Sequence, residues 1–274
     1  MDDLLFQSRY LNLLQTESTT PDLDCLRGLV KLHLHRIPFE NISKFHYYLH
    51  QGQTGEQWLP TMDTYLTNIT NKGLGGNCYI LNAHFGRLLQ SLGFKVDIIR
   101  ATGGNTHLAL KVTVNNKAYY VDVGYGAPLF EPLSLEELPC FSRCGEEVEI
   151  TKLGNYQYRI DRRTNGQSFV TKCIEWNPVS LESFDEVITH SLRDEEDNPF
   201  MRRIVATVFK QNIGYSVINH KLFIKTDQST VVHDYTRKPD WMEIMRMTFG
   251  FEADVLEEAL EFLKVRGVHL FANT

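Results

Sequence analysis

Gly73-Leu74-Gly75-Gly76-Asn77-Cys78-Tyr79-Ile80-Leu81-Asn82 is the stretch whose reading decides the fold. Glycines lead to an asparagine, a cysteine and then a run with helical spacing. Leu81, Phe85, Leu88, Leu89 and Leu92 recur at steps of three and four, the period of an amphipathic helix. Asn77 suits the N-cap and Gly93 the stop. Cys78 then falls in the first turn, where unpaired backbone N–H groups and the helix dipole favour an anion. A thiolate is such an anion and is the nucleophilic form of the side chain. Gly75 and Gly76 carry no side chains, which predicts that another molecule can approach the sulfur closely. A lone cysteine is more often a small buried core residue, so a catalytic reading needs a partner.

The partner lies downstream. Thr106–Val114 and Lys117–Val123 each alternate polar and apolar residues, and Asn115-Asn116 between them tolerates positive φ. This is the signature of a β-hairpin with a two-residue turn. Its register sets Val114 opposite Lys117, Ala109 opposite Asp122 and His107 opposite Gly124. His107 and Asp122 become diagonal neighbours on one face, within side-chain reach. Leu108, Leu110, Val112, Val114, Tyr119, Val121 and Val123 form the other face, which belongs to a core. An imidazole oriented by a carboxylate, beside a cysteine at a helix start, is the arrangement that activates a thiol. The same residues also describe a surface ion pair, and a one-residue slip of register would separate them.

The remaining sequence bounds the class. A chain of 274 residues makes one large domain or a few small ones. Hydrophobic residues at 42% and charged residues at 23% are ordinary for a globular protein. A net charge of −6 gives no reason to expect nucleic-acid binding, which needs a basic face. Met1-Asp2-Asp3-Leu4 is acidic where a secretory signal is basic, and no apolar run reaches the length of a membrane span. Five cysteines, an odd number, argue against a disulfide framework and for a reducing, cytoplasmic compartment.

Residues 1–93 read as helical. A first helix carries Leu4, Leu5, Tyr10, Leu11 and Leu14 and ends near Gln15. A second follows Pro21-Asp22, buries Leu26, Leu29, Val30 and Leu34, and stops before Pro38. A polar loop spans about residues 50–57, and a helix near 61–71 leads to the cysteine loop. Residues 94–200 read as strands: 96–100, the hairpin, 148–151, 156–161 and 168–174, with a connecting helix at 181–191. Short strands separated by turns predict an antiparallel barrel or sandwich. Residues 201–274 continue with strands near 203–210, 213–218, 221–226 and 230–235, then helices near 239–247 and 254–264.

Four blocks of this sequence resemble the arylamine N-acetyltransferase family in order and spacing: Arg36-Ile37-Pro38-Phe39-Glu40-Asn41, the Gly-Gly-Asn-Cys stretch, Thr106-His107-Leu108, and Val121-Asp122-Val123-Gly124-Tyr125-Gly126. Asp197-Asn198-Pro199-Phe200 and Thr248-Phe249-Gly250-Phe251 resemble two weaker blocks. The resemblance implies an α+β fold: an N-terminal helical bundle (1–93) carrying the nucleophile, a central antiparallel β-barrel (94–200) carrying His and Asp, and a C-terminal α/β lid (201–274). The bundle and barrel would share a papain-like Cys-His-Asp core. Cys78 would take acetyl from acetyl-CoA as a thioester, His107 would activate the thiol and assist the acceptor amine, and Asp122 would orient the ring. Oxyanion donors would be backbone N–H groups at the helix start, that of Cys78 among them. The acceptor would be an arylamine, arylhydrazine or arylhydroxylamine, taken in a ping-pong reaction, against which Phe39, Tyr125 and Phe200 would stack. Thr102, Gly103, Gly104, Gly124 and Gly126 would expose backbone to the CoA pyrophosphate.

The sequence departs from the family at several positions. Leu74 stands where the family usually has an arginine that pairs with the Glu of the Pro-Phe-Glu-Asn block, so Glu40 lacks its expected partner unless Lys72 substitutes. Asn77, Ile80 and Asn198 also differ from the usual residues. Some family members build amides from other acyl donors. A thiol hydrolase or a non-catalytic small-molecule binder would be built on similar residues. No metal is expected, because neither Cys140 with Cys144 nor His33 with His35 has a second ligand pair at zinc spacing. Asp194, Glu195, Glu196 and Asp197 read as a solvated charge run, and Arg202-Arg203 as a surface pair sooner than as contacts for the CoA phosphates.

Overall fold

The structure is a computed structural model and describes residues 2–17, 20–53 and 59–271. The first part is helical: α1 (Asp3–Leu14), α2 (Leu23–Arg36), a two-residue strand β1 (Phe39–Glu40), α3 (Ile42–Leu49), α4 (Met62–Lys72) and α5 (Cys78–Ser91). Asp2, Asp22 and Thr61 cap α1, α2 and α4 by accepting backbone N–H bonds. Leu4 and Leu5 do not belong to the buried side of α1: both are exposed, and Phe6 takes the inward position with Tyr10, Leu11 and Leu14. Helix α3 is absent from the sequence reading. Of the expected polar loop, Gln51–Gln53 form a short helical turn, and 54–57 lie outside the described residues.

A seven-stranded sheet follows, made of β2 (Lys95–Thr102), β3 (His107–Val114), β4 (Lys117–Val121), β5 (Cys140–Arg143), β6 (Glu146–Gly154), β7 (Gln157–Thr164) and β8 (Gln167–Val179), in the order β4-β3-β2-β8-β7-β6-β5. All its pairings are antiparallel. The sheet curls into a half-barrel but does not close, since β4 and β5 remain at its two ends. The connecting helix α6 (Asp185–Ser191) leads to β9 (Val205–Lys210), β10 (Ile213–Ile218), β11 (Lys221–Lys225) and β12 (Thr230–Asp234), then α7 (Lys238–Phe249) and α8 (Ala253–Val265). These strands form a second sheet to which β1 adds itself, Phe39 opposite Thr207 and Glu40 opposite Ala206.

Three apolar clusters hold the parts together. The largest lies between the helices and the Leu108, Leu110 and Val112 face of the hairpin. Gly86 lets α5 settle on β3: a Cβ there would stand 3.1 Å from the Leu110 side chain. The second lies inside the curl and includes Ile99, Ala101, Ala109 and Tyr120. The hairpin is therefore buried on both faces, and the His107 face is not a surface. The third joins Ile42, Phe45 and Leu74 to the last sheet and helices, with Phe45 stacked on Phe262 at 4.4 Å.

Candidate active site

The site begins at the N-terminus of α5. Asn77 Oδ1 accepts from Tyr79 N at 3.0 Å and Ile80 N at 3.2 Å, so Cys78 is the first helical residue. Gly75 does not open a path for an outside molecule. A Cβ there would sit 2.0 Å from the Pro38 carbonyl oxygen, because the chain's own segment occupies that space. Glu40 N donates to Gly76 O at 2.9 Å and fixes this crossing. Cys78 is 7% exposed.

The hairpin has the register its turn predicts. Val114 faces Lys117 and Leu110 faces Val121, with Asn115 and Asn116 at φ 50° and 61°. The strand pairing ends at Val121, and the chain then bends so that Asp122 turns toward His107. His107 Nε2 meets Asp122 Oδ2 at 2.6 Å, both residues buried. Three more donors reach the carboxylate: Tyr120 Oη at 2.7 Å, Asn82 Nδ2 at 2.8 Å and Gly124 N at 3.0 Å. Burial works against the charge of Asp122, but the His107 charge and these hydrogen bonds win and hold its carboxyl below the usual range. Burial likewise lowers the His107 ring, yet the Asp122 and Cys78 charges and hydrogen bonds to both outweigh it, and the imidazolium is favoured. With Nε2 on the carboxylate, Nδ1 is left for the thiol.

Asn82 and Tyr120 escaped the sequence reading, although each had a positional signal. Asn82 stands one helical turn after Cys78 on the same face. It donates to Leu108 O as well as Asp122 and accepts from Val123 N, tying the helix of Cys78 to β3 and to the segment that follows β4. Tyr120 stands two residues before Asp122 on the same side of the chain. Gly124 lies on the first turn of α5 so closely that a Cβ would be 2.6 Å from Cys78 Cα.

Two arms of a cleft meet at Cys78. One, of about 630 Å³, runs past Lys44, Tyr79, Thr106 and His190. The other, of about 750 Å³, runs past His107, Tyr125, Lys172, Arg203 and Lys225. Phe39 and Phe200 line both, at the junction. Tyr125 lines the second arm with its ring 5.1 Å from that of His107. Gly103, Gly104, Gly124 and Gly126 also line the second arm, whereas Thr102 sits within β2 opposite Cys173, away from the lining. The loop holding Tyr125 is clamped by Arg162, which donates to the carbonyls of Tyr125 and Gly126 and to Glu146; Lys225 takes the other oxygen of Glu146. Arg203 faces the second arm and so is not simply a surface residue. Asp194 leaves the expected solvated run to bind Arg202 and Arg266.

A family model described as N-acetyltransferase matches residues 22–257, through every element of this site. The chain belongs to the arylamine N-acetyltransferase family, a family of acyltransferases. It is 24% identical to a pineal-gland isozyme of arylamine N-acetyltransferase from Gallus gallus, over 90% of this chain and 93% of that protein. It is 35% identical to proansamycin X synthase of Amycolatopsis mediterranei over 43% of this chain and 47% of that one. The fold resembles that of the Mycobacterium marinum arylamine N-acetyltransferase solved in complex with CoA, with a TM-score of 0.80 at 21% identity, covering 96% and 99% of the two chains. The Salmonella typhimurium family member gives a TM-score of 0.79 at 17% identity, covering 95% and 98%.

Glu40 is where this family member departs from the expected pattern, and its surroundings explain how it manages. Leu74 is fully buried in the third apolar cluster and offers no charge. Lys72 does not substitute: its Nζ lies 3.4 Å from His46 Nε2. Glu40 is fully buried, with Oε2 accepting from Ser43 N at 2.8 Å and Oε1 without a partner. Burial pushes its carboxyl up to about 7, so it is largely neutral below that pH. Among the described residues, one group has metal-ligand composition: His46, His50 and Glu258. His46 Nδ1 meets Glu258 Oε1 at 2.7 Å and His50 Nε2 meets Oε2 at 2.7 Å, with the Lys72 ammonium on the far side of the His46 ring. The three form a clasp between α3 and α8.

Proposed function

We propose that the protein transfers an acetyl group from acetyl-CoA to an aromatic amine or hydrazine in two half-reactions at Cys78. The observation that carries this is the convergence of Cys78, the His107–Asp122 pair and both arms of the cleft on one point. In the first half-reaction the Cys78 sulfur bonds the acetyl carbon. The carbon–sulfur bond to CoA breaks, and the imidazolium returns its proton to the departing CoA thiolate. In the second, the amine nitrogen bonds the acetyl carbon, the bond to Cys78 breaks, the electron pair returns to that sulfur and the amine proton passes to His107. The Cys78 N–H, free of an intrahelical partner at the helix start, is suited to the oxyanion. Asp122 keeps the ring oriented and charged.

The second arm suits the donor. Lys172, Arg203 and Lys225 line it and complement the phosphates of CoA. The first arm, with Phe39 and Phe200 at its inner end, suits the acceptor ring. In this reading residues 1–93 supply the nucleophile, 94–200 the base and its carboxylate, and 201–274 the lid. A reducing, cytoplasmic setting would keep the five free cysteines, Cys78 included, as thiols. No described helix is long and apolar enough to cross a membrane.

Intact-mass measurement after mixing with acetyl-CoA alone tests the reading. One acetyl group should appear on the wild type and none on Cys78→Ala, and a later arylamine should remove it. An unmodified wild type sinks the proposal. Turnover of a peptide or simple amide without CoA would make the protein a thiol hydrolase instead.

A further inference from the structure

His46, His50 and Glu258 make a cluster that the acyl-transfer reading does not use. His46 lies in the last turn of α3, His50 closes that helix, and Glu258 comes from α8, 208 residues further along the chain than His50. Each ring meets one oxygen of the same carboxylate: Oε1 is 2.7 Å from His46 Nδ1, and Oε2 is 2.7 Å from His50 Nε2. The two ring centroids stand 4.5 Å apart. Taking one ligand atom from each residue, the three lie within 4.8 Å of one another. A tetrahedral zinc ion with bonds of about 2.0 to 2.1 Å holds its ligand atoms roughly 3.3 Å apart, so small turns of these side chains would close them on it.

The donor chemistry suits that ion. Two imidazoles and one carboxylate, with no thiolate, form a set that zinc takes with a water in the fourth position. Burial opposes the charge of Glu258, but its hydrogen bonds with both rings and their charges outweigh burial and hold the carboxyl below the usual range. The anionic ligand is therefore in place. The His46 side chain is 2% exposed and that of His50 43%, so the cluster is anchored on one side and open to solvent on the other. An ion can enter there and keep its water. Lys72 opposes a cation, with its Nζ 3.4 Å from His46 Nε2. It is the last residue of α4 and only half-buried, so its long side chain can withdraw into solvent.

We propose that His46, His50 and Glu258 bind one zinc ion, which pins α8 to α3. Binding would replace the protons shared between the rings and the carboxylate, and release them to solvent. The consequence is structural. Helix α3 follows directly on β1, which carries Phe39 of the cleft, and Phe45 of α3 already stacks on Phe262 of α8. The ion would add a coordinate tie beside that stack and hold the third apolar cluster closed. This inference does not depend on what Cys78 transfers.

Calorimetric titration of zinc chloride into the full chain tests it, in a Cys78→Ala background so that the Cys78 thiol cannot take the metal. One zinc per chain should bind and raise Tm. His50→Ala and Glu258→Gln should each weaken that binding by at least about tenfold and abolish the rise, since even the neighbours of a metal ligand are commonly worth roughly 10- to 100-fold. Lys72→Met, which removes the opposing cation, should bind zinc at least as tightly as its parent. No uptake of zinc, or uptake that His50→Ala or Glu258→Gln leaves at full strength, overturns the inference. Should these variants fail to fold, nitrogen NMR of the imidazoles in the Cys78→Ala chain decides. Of the ten histidines, one should take zinc through Nδ1 and one through Nε2, and any other pattern refutes the assignment.

Discussion

Two buried carboxyls stand on either side of the start of α5, and they have opposite fates. Asp122 receives four hydrogen bonds, one from a cationic ring, and stays ionised. Glu40 is equally buried, receives one backbone hydrogen bond on Oε2 and leaves Oε1 bare, and its carboxyl rises to about 7. Burial is common to both, so partners decide which one carries charge. The ionised carboxyl lies where a charged imidazole is wanted. The neutral one lies where Leu74 has replaced the cation expected from the family pattern.

The largest test of this contrast is Asp122→Asn. The amide keeps the shape but removes the charge that favours the imidazolium, and the ring loses its fixed tautomer. If the proposed acyl transfer holds, acetylation of Cys78 should slow by roughly 10³- to 10⁴-fold, as in Ser-His-Asp triads that lose this charge. Rapid-quench mass spectrometry would read the rate. A loss of less than tenfold would show that the carboxylate only packs against the ring.

Much of the Asp122 region was legible in the sequence, and much of the Glu40 region was not. The hairpin could be read because Asn115-Asn116 fixes the turn and a period of two fixes the faces. That both faces would be buried could not be read, because the curl of the sheet brings distant Ile160 and Ile174 over the His107 side. The cysteine helix could be read from its cap and period. Helix α3 could not. Ser43, Lys44 and His46 are buried along with Ile42, Phe45 and Tyr47 while Leu49 is exposed, so the segment lies between two apolar clusters and its burial does not follow its polarity. Lys44 was hidden with it. The missing partner of Glu40 was visible as Leu74, but the consequence, a neutral carboxyl, needed the depth of burial.

Stability against pH should separate the two carboxyls by sign. Asp122 has a folded pKa below its ordinary 3.8, so its contribution is present above that value and lost as pH falls below it. Glu40 runs the other way, from 4.5 unfolded to about 7 folded. Its contribution is present below pH 4.5 and lost as pH rises toward 7, because the unfolded chain ionises first. Between pH 5 and 8 the wild type should lose roughly 2 kcal/mol that Glu40→Gln does not lose. Urea denaturation at the two pH values measures the difference. Equal slopes for the two proteins would mean that Glu40 is ionised in the native state and has a partner.

The smallest change asks how many donors Asp122 needs. Tyr120→Phe removes one hydroxyl and leaves His107, Asn82 and Gly124 on the carboxylate. If partner number sets the charge, three donors including a cation remain far from the single backbone bond of Glu40. Asp122 should therefore stay ionised, the acetylation rate should fall by less than about tenfold, and stability should drop by about 1.5 to 3 kcal/mol, the range for one hydrogen bond to a charged group. A loss as large as that of Asp122→Asn would mean that the Tyr120 hydroxyl alone holds the carboxylate, and that the difference between the two sites lies in one residue and not in the number of donors.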